Sequence, residues 1–408
     1  MKATEVGMAK SATEGIRPAG RTRGITYAVR DIVALAHEVA RTGKEMLYLN
    51  IGDPNQFDFE TPPHLIDAVH KAMRDNHCCY SPSSGIPAAI KAVEGEAARN
   101  GIRNIRDLFI TTGGSEAIEI CLTALVDRGE NVLIPHPGYP LYEAVLAKLE
   151  AVAKPYFLDE EHGWQPDTED IRSKIDSKTR AIVLINPNNP TGSVCSEKIL
   201  REVLTIAAER GIMVFADEIY DKMILSENRR HVSIASLDPE APVVTFNGLS
   251  KSFLAPGWRI GWGIISGNRE RLKEYLEAVN KILRARLCAN HPMQHAIQPA
   301  LEGDKSFMDG VLKKLRARRD ITHEMLNSHP RISCVKPEAA FYAFPKLRID
   351  GPDDAFVKDL VAATGVVPVH GSGFGQKPGT RHLRVVFLPP DAVLRKAYAS
   401  LLGFLDQR

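Results

Sequence analysis

The sequence has almost no net charge, no long hydrophobic run and no paired-cysteine motif. Its 408 residues carry 52 Lys and Arg against 50 Asp and Glu, a formal balance of +2. Nucleic-acid binding and polybasic membrane attachment draw on a concentrated basic excess, so neither is expected. Apolar runs such as Ala181 to Ile185 stop well short of the roughly 18 residues that raise a membrane-spanning helix. The first 20 residues interleave Lys2, Glu5, Lys10 and Glu14 with no apolar stretch, the pattern of a flexible tail and not of a signal peptide. Six cysteines, Cys78, Cys79, Cys121, Cys195, Cys288 and Cys334, form no CxxC and read as reduced thiols of a cytoplasmic protein. No metal site is expected either: His291 and His295 have i, i+4 spacing, but no carboxylate or cysteine companion completes a ligand set.

What is present is a large globular chain. Hydrophobic residues make up 44% and charged ones 25%, enough for an extensive core, and the length fits two or three domains of about 150 residues. From about residue 60 to 300, β-branched runs alternate with helical patterns, as in a mostly parallel sheet with helices on both faces. Seven strands are expected: 108–111, 131–134, 152–157, 180–185, 212–216, 243–246 and 260–265. AIVLI (181–185) and IMVFA (212–216) are continuously apolar, as strands buried on both faces must be. Beyond residue 300 a long charged helix over 307–327 and short strands near 333–335, 340–344 and 382–387 suit a smaller α+β domain. The expected division is a tail over 1–20, an N-terminal segment over 21–60 joining the small domain, a large domain over 61–301 and a small domain over 302–408.

Ligands of parallel sheets collect at strand carboxyl ends, so the polar residues there carry the chemistry. After the first strand, Gly113, Gly114 and Ser115 open a helix whose free N–H groups and positive end suit a phosphate. After the 180–185 strand, NPNNPTG (186–192) places amides at the sheet edge. Asp217, followed by Tyr220, ends the next strand; alone it reads equally well as a helix N-cap. NGLSKSFLAPGWRIGW (247–262) puts Lys251 at a strand exit and Arg259 eight residues on.

One cofactor needs all these parts together. Pyridoxal 5'-phosphate takes a lysine for its Schiff base, a carboxylate for its ring nitrogen, donors for its phenolic oxygen, an aromatic partner and a phosphate cradle. Lys251, Asp217, Tyr220 with Asn189, Tyr139 in PGYPLY, and Gly114, Ser115, Ser250 and Arg259 supply them in that order. With NPNNPTG, FADEIY and SKSFLAPGWRIGW in this order and spacing, the sequence resembles the fold type I, class I/II aminotransferases from about Arg23 to its end. YLNIGDP, NGLSK, RLCANHPMQHAIQPAL and HLRVVFLPP are similar to the bacterial alanine aminotransferase branch.

The resemblance implies an α/β fold with a seven-stranded, mostly parallel sheet and a smaller α+β domain. It implies Lys251 as the Schiff-base lysine and Asp217 beside the ring nitrogen. Tyr220 and Asn189 contact the phenolic oxygen, and Arg259 the phosphate. Gly52, Asn189 and Arg384 hold the substrate α-carboxylate, and Tyr80 reaches the phosphate of a neighbouring subunit, giving a homodimer with shared sites. The expected reaction moves an amino group between L-alanine and 2-oxoglutarate by a ping-pong route. The alternatives are an aspartate or aromatic preference, or a β-lyase or synthase on the same scaffold. Arg23, Arg30, Arg284 and Arg286 are candidates for pairing with a second substrate carboxylate. One departure stands out: where many relatives have Ser or Thr three residues before the lysine, this chain has Gly248.

Overall fold

The computed structural model describes residues 16–25 and 28–408; the side chains of residues 28–31 are not described. Of the tail expected over 1–20, residues 1–15 lie outside the described residues, and 16–20 are exposed. A two-residue strand, β1 (Leu47–Tyr48), precedes the large sheet. Eight strands then follow: β2 (Ile105–Thr111), β3 (Asn131–His136), β4 (Val152–Asp159), β5 (Gln165–Pro166), β6 (Thr179–Ile185), β7 (Met213–Asp217), β8 (Val243–Gly248) and β9 (Gly261–Ser266).

They form one sheet in the order β2-β9-β8-β7-β6-β3-β4-β5. The pairs β4-β3, β3-β6, β6-β7 and β7-β8 are parallel, while β9 runs antiparallel to both β2 and β8. The seven strands expected from the sequence are all there. The eighth, β5, is a two-residue antiparallel addition to β4, too short for a hydrophobic pattern to reveal.

The alternation of the strands sorts their side chains to two faces. On β6, Ala181, Val183 and Ile185 pack with Phe215, Phe246 and the helices Gly114–Leu125 and Arg269–Ala285. Ile182 and Leu184 face the opposite core with Val214, Ala216 and the helices Pro87–Arg99 and Glu197–Arg210. Helix boundaries follow local chemistry. Ser196 accepts a hydrogen bond from Ile199 N at the start of Glu197–Arg210, and Gly211 ends it in the left-handed region at φ 68°.

Register places the chemistry on one edge. Ile185 lies opposite Asp217, Asp217 opposite Phe246, and Gly248 and Thr111 both opposite Gly261. The carboxyl ends of β2, β6, β7 and β8 therefore meet the amino end of β9.

The C-terminal part is α+β. Helix Phe307–Asn327 matches its expected span and packs on Asp391–Asp406. The strands are shorter than expected: β10 (Ile332–Ser333), β11 (Tyr342–Ala343), β12 (Lys346–Leu347), β13 (Val366–Val367), β14 (Val369–His370) and β15 (Leu383–Val386). β15 lies between β11 and β14. β1 pairs in parallel with β13, and Leu49 O accepts a hydrogen bond from Val386 N. Residues 47–49 are thus fastened to the small sheets immediately before the chain enters the cavity at Gly52. Among the described residues no helix is long and apolar enough to cross a membrane, and all six cysteines are free.

Candidate active site

A cavity of about 240 Å³ opens at the edge where these strand ends meet, lined also by Gly52, Tyr342 and Arg384. Lys251 stands in the turn after β8. Its Nζ donates to the carbonyl of Gly52 at 2.7 Å and lies 5.5 Å from the centre of the Phe341 ring. Burial brings this amine down to about 8, against the attraction of Asp53, and the charges of Arg384 and Arg259 push the same way as burial.

Asp217 is the last residue of β7 and is 6% exposed. No helix begins after it, which removes the N-cap reading. Its carboxylate accepts from Tyr142 Oη and from Ile219 N, each at 3.3 Å. Burial pushes it up to about 6 despite those two donors. An acid in this state is strongly receptive to a cation.

Tyr220 and Tyr342 share a hydroxyl hydrogen bond of 2.8 Å. Burial raises Tyr220 well above the ordinary phenol range, so it keeps its proton and remains able to donate. Asn189 is buried in NPNNPTG, where both Asn–Pro bonds are cis, and its Oδ1 has no hydrogen-bond partner among the described residues. Tyr139 lines the same cavity.

Close backbone approaches form one end of the cavity. A Cβ on Gly261 would lie 2.3 Å from Gly114 N, so only glycine lets β9 approach the first turn of the Gly114–Leu125 helix this closely. That turn carries N–H groups with no acceptor within the helix. Arg259, itself left-handed at φ 54°, donates through Nη2 to Ser115 Oγ at 3.2 Å and through Nη1 to Pro256 O at 2.9 Å. Ser250 completes this side. At Gly248 a Cβ would lie 2.6 Å from Ile260 O, so the tight β8-β9 pairing has no room for a serine or threonine there.

Arg384 projects from β15 and is 3% exposed. Its Nη2 donates to Asn50 O, and its guanidinium lies 5.1 Å from the Tyr342 ring centre and 4.8 Å from that of Phe374. Two rings and a backbone carbonyl hold it.

Eleven of the residues singled out in the sequence line this cavity: Gly52, Gly114, Ser115, Tyr139, Asn189, Asp217, Tyr220, Ser250, Lys251, Arg259 and Arg384. Tyr80 does not; it is 80% exposed. Of the four arginines considered for a second carboxylate, Arg23, Arg284 and Arg286 are absent from the lining as well. Arg23 and Arg284 are exposed, the Arg30 side chain lies outside the described residues, and Arg286 is committed to Glu116, Ser83 O and Ile110 O. Sequence reasoning missed Tyr142 and Tyr342. Tyr142 stands three residues after Tyr139 in the same PGYPLY motif, a helical spacing that pointed to it. Nothing in the local sequence pointed to Tyr342.

The residues present fit pyridoxal phosphate. The Asn189 amide, a buried carboxyl at Asp217, a buried amine at Lys251 and a cradle of N–H, hydroxyl and guanidinium groups all line one space. Comparison with known proteins agrees. The family model "Aminotransferase class I and II" matches residues 44–401. The glutamate-pyruvate aminotransferase AlaA of Haemophilus influenzae is 39% identical, covering 89% of this chain and 91% of its own length. The alanine aminotransferase of Mycobacterium bovis is 40% identical over 94% of this chain and 91% of its own. The solved alanine aminotransferase of Pyrococcus furiosus superposes with a TM-score of 0.92 at 40% identity, covering 96% of this chain and all of that one. With this cavity and a match spanning most of its length, the chain belongs to the class I and II aminotransferases, which work with pyridoxal phosphate.

Proposed function

We propose that the protein is an alanine aminotransferase, moving the amino group of L-alanine to 2-oxoglutarate to give pyruvate and glutamate in two ping-pong half-reactions. The observation that carries the reading is the convergence of Lys251, Asp217 and Arg384 on one buried cavity. The names of the similar proteins support the choice of alanine.

Pyridoxal phosphate, when bound, supplies an electron sink for the pair left at the substrate Cα. Asp217 holds the proton at the ring nitrogen, where opposite charge favours the protonated form. Arg259, Ser115, Ser250 and the helix amino end bind the phosphate. Tyr220 and Asn189 orient the ring through its phenolic oxygen. Lys251 removes the proton at Cα; a buried amine with a pKa near 8 has a far larger neutral share at pH 7 than an exposed lysine. Arg384 grips the α-carboxylate through its planar fork, fixing which Cα bond faces Lys251.

The working unit is a homodimer in which Tyr80 serves the neighbour's phosphate; its exposure on its own chain supports this. Six free cysteines support a reducing, cytoplasmic setting.

Following the cofactor absorbance after adding single amino acids tests the donor. Alanine and glutamate should both convert it. Should aspartate or phenylalanine react more than about tenfold faster than alanine at equal subsaturating concentration, the alanine assignment fails while the family stands.

A further inference from the structure

Three histidines that take no part in the cavity meet elsewhere on the chain. His77 follows the Pro63–Arg74 helix, His291 opens the His291–Gln294 helix, and His295 follows it. Spacing alone paired His291 with His295; the fold adds His77, 214 positions before His291 in sequence, whose ring stacks on His295 with centroids 4.4 Å apart. His291 and His295 have centroids 5.5 Å apart, and His77 and His291 5.8 Å. One ring nitrogen of each lies within 4.8 Å of those of the others.

We propose that His77, His291 and His295 form a binding site for a divalent zinc-type ion, which staples the 75–80 segment to the His291–Gln294 helix. Three imidazoles around zinc, with Zn–N of about 2.0–2.1 Å, place their ring centres roughly 4.5–5.5 Å apart. The observed spacings are already close, so ring rotations with small adjustments of the 75–80 segment bring the nitrogens into range. Second contacts favour the same role. His291 Nδ1 lies 2.8 Å from the carbonyl of Cys79, the arrangement that fixes a ligating imidazole by its other nitrogen. His295 Nε2 is buried with no hydrogen-bond partner among the described residues. No carboxylate of the described residues hydrogen-bonds any of the three rings; Asp75 attracts His77 and His295 without touching them and is itself paired with Lys71. A set of three imidazole nitrogens favours zinc over magnesium or calcium, which prefer oxygen ligands. Water takes the remaining position. The three histidines are not among the residues assigned to the reaction proposed above.

Titrating the holoenzyme with zinc chloride in a calorimeter should give one saturable site per chain and raise the melting temperature, with EDTA reversing the rise. His77→Ala and His291→Ala, neither in the catalytic machinery, should each weaken zinc binding by at least about tenfold and abolish the melting shift. Both should keep wild-type melting and amino transfer in zinc-free buffer, and magnesium chloride should do nothing. Zinc binding that is unchanged in both variants, or absent at micromolar concentrations from the wild type, overturns the site.

Discussion

Tyr142 donates its hydroxyl hydrogen to Asp217 across 3.3 Å, from a helix 75 residues earlier in the chain. The phenol is fully buried, and burial together with the Asp217 charge holds its proton in place. Asp217 is therefore oriented by a donor that cannot titrate in the working range. Tyr142→Phe keeps the ring and removes only this bond. A net value of about 0.5–1.5 kcal/mol predicts a two- to tenfold fall in kcat with a smaller change in cofactor affinity. Steady-state rates beside a cofactor titration check the split.

Asp217 also makes a prediction for the cofactor-free protein. Its folded value of about 6 lies above the ordinary 3.8, so between pH 4 and pH 6 the folded chain binds a proton that the unfolded chain has lost. Stability through this group is therefore present at low pH and lost as pH rises through 6, by up to about 3 kcal/mol. Asp217→Asn should make the cofactor-free protein more stable than wild type at pH 7 but not at pH 4, while crippling turnover. Urea midpoints at the two pH values test it.

For Lys251 the direction is reversed. Its amine is brought down to about 8 from 10.5, so the neutral, nucleophilic form grows in across pH 7 to 9. Mixing cofactor-free protein with pyridoxal phosphate in a stopped-flow instrument should show a capture rate rising with an apparent pKa near 8. A rate still climbing steeply above pH 10 would show a solvated lysine at work.

Replacing Arg384 by Lys keeps one charge and loses the planar fork. A charged hydrogen bond is worth about 1.5–3 kcal/mol, so kcat/KM should fall at least about tenfold for alanine, glutamate and aspartate alike. A loss confined to glutamate would mean that Arg384 reads the side chain.

Gly248→Ser introduces the hydroxyl that many relatives have three residues before the lysine, yet it should not strengthen phosphate binding. Its Cβ would press on Ile260 O at 2.6 Å and on Gly261 Cα at 3.0 Å. Overpacking of this kind costs about 1–3 kcal/mol. A lower melting temperature with weaker cofactor retention is the expected result.

The large sheet was readable because strands buried on both faces leave uninterrupted runs such as 181–185, and because residues at strand ends inherit a place in the cavity from topology alone. Lys251, Asp217 and Arg259 are of this kind. Tyr342 was not, since its meaning comes from a hydroxyl 122 residues away. His77 was equally silent until the Pro63–Arg74 helix set it beside His295. The small strands β10 to β14 have only two residues each, below the length at which alternation becomes a pattern. Arg286 misled for the opposite reason: its charge suggested a ligand contact, whereas backbone carbonyls and Glu116 already occupy it.

The run from Leu47 to Gly52 links several fixed points in a few residues. Leu47 and Tyr48 pair with β13, Leu49 O receives Val386 N, Asn50 O receives Arg384, and Gly52 O receives Lys251. Such a short extended segment has little slack. The acceptors of the Lys251 amine and of the Arg384 guanidinium are therefore two carbonyls of one backbone run, two residues apart. The roles proposed for Lys251 and Arg384 thus hang on one short stretch of main chain, which also ties the large sheet's edge to the small sheets.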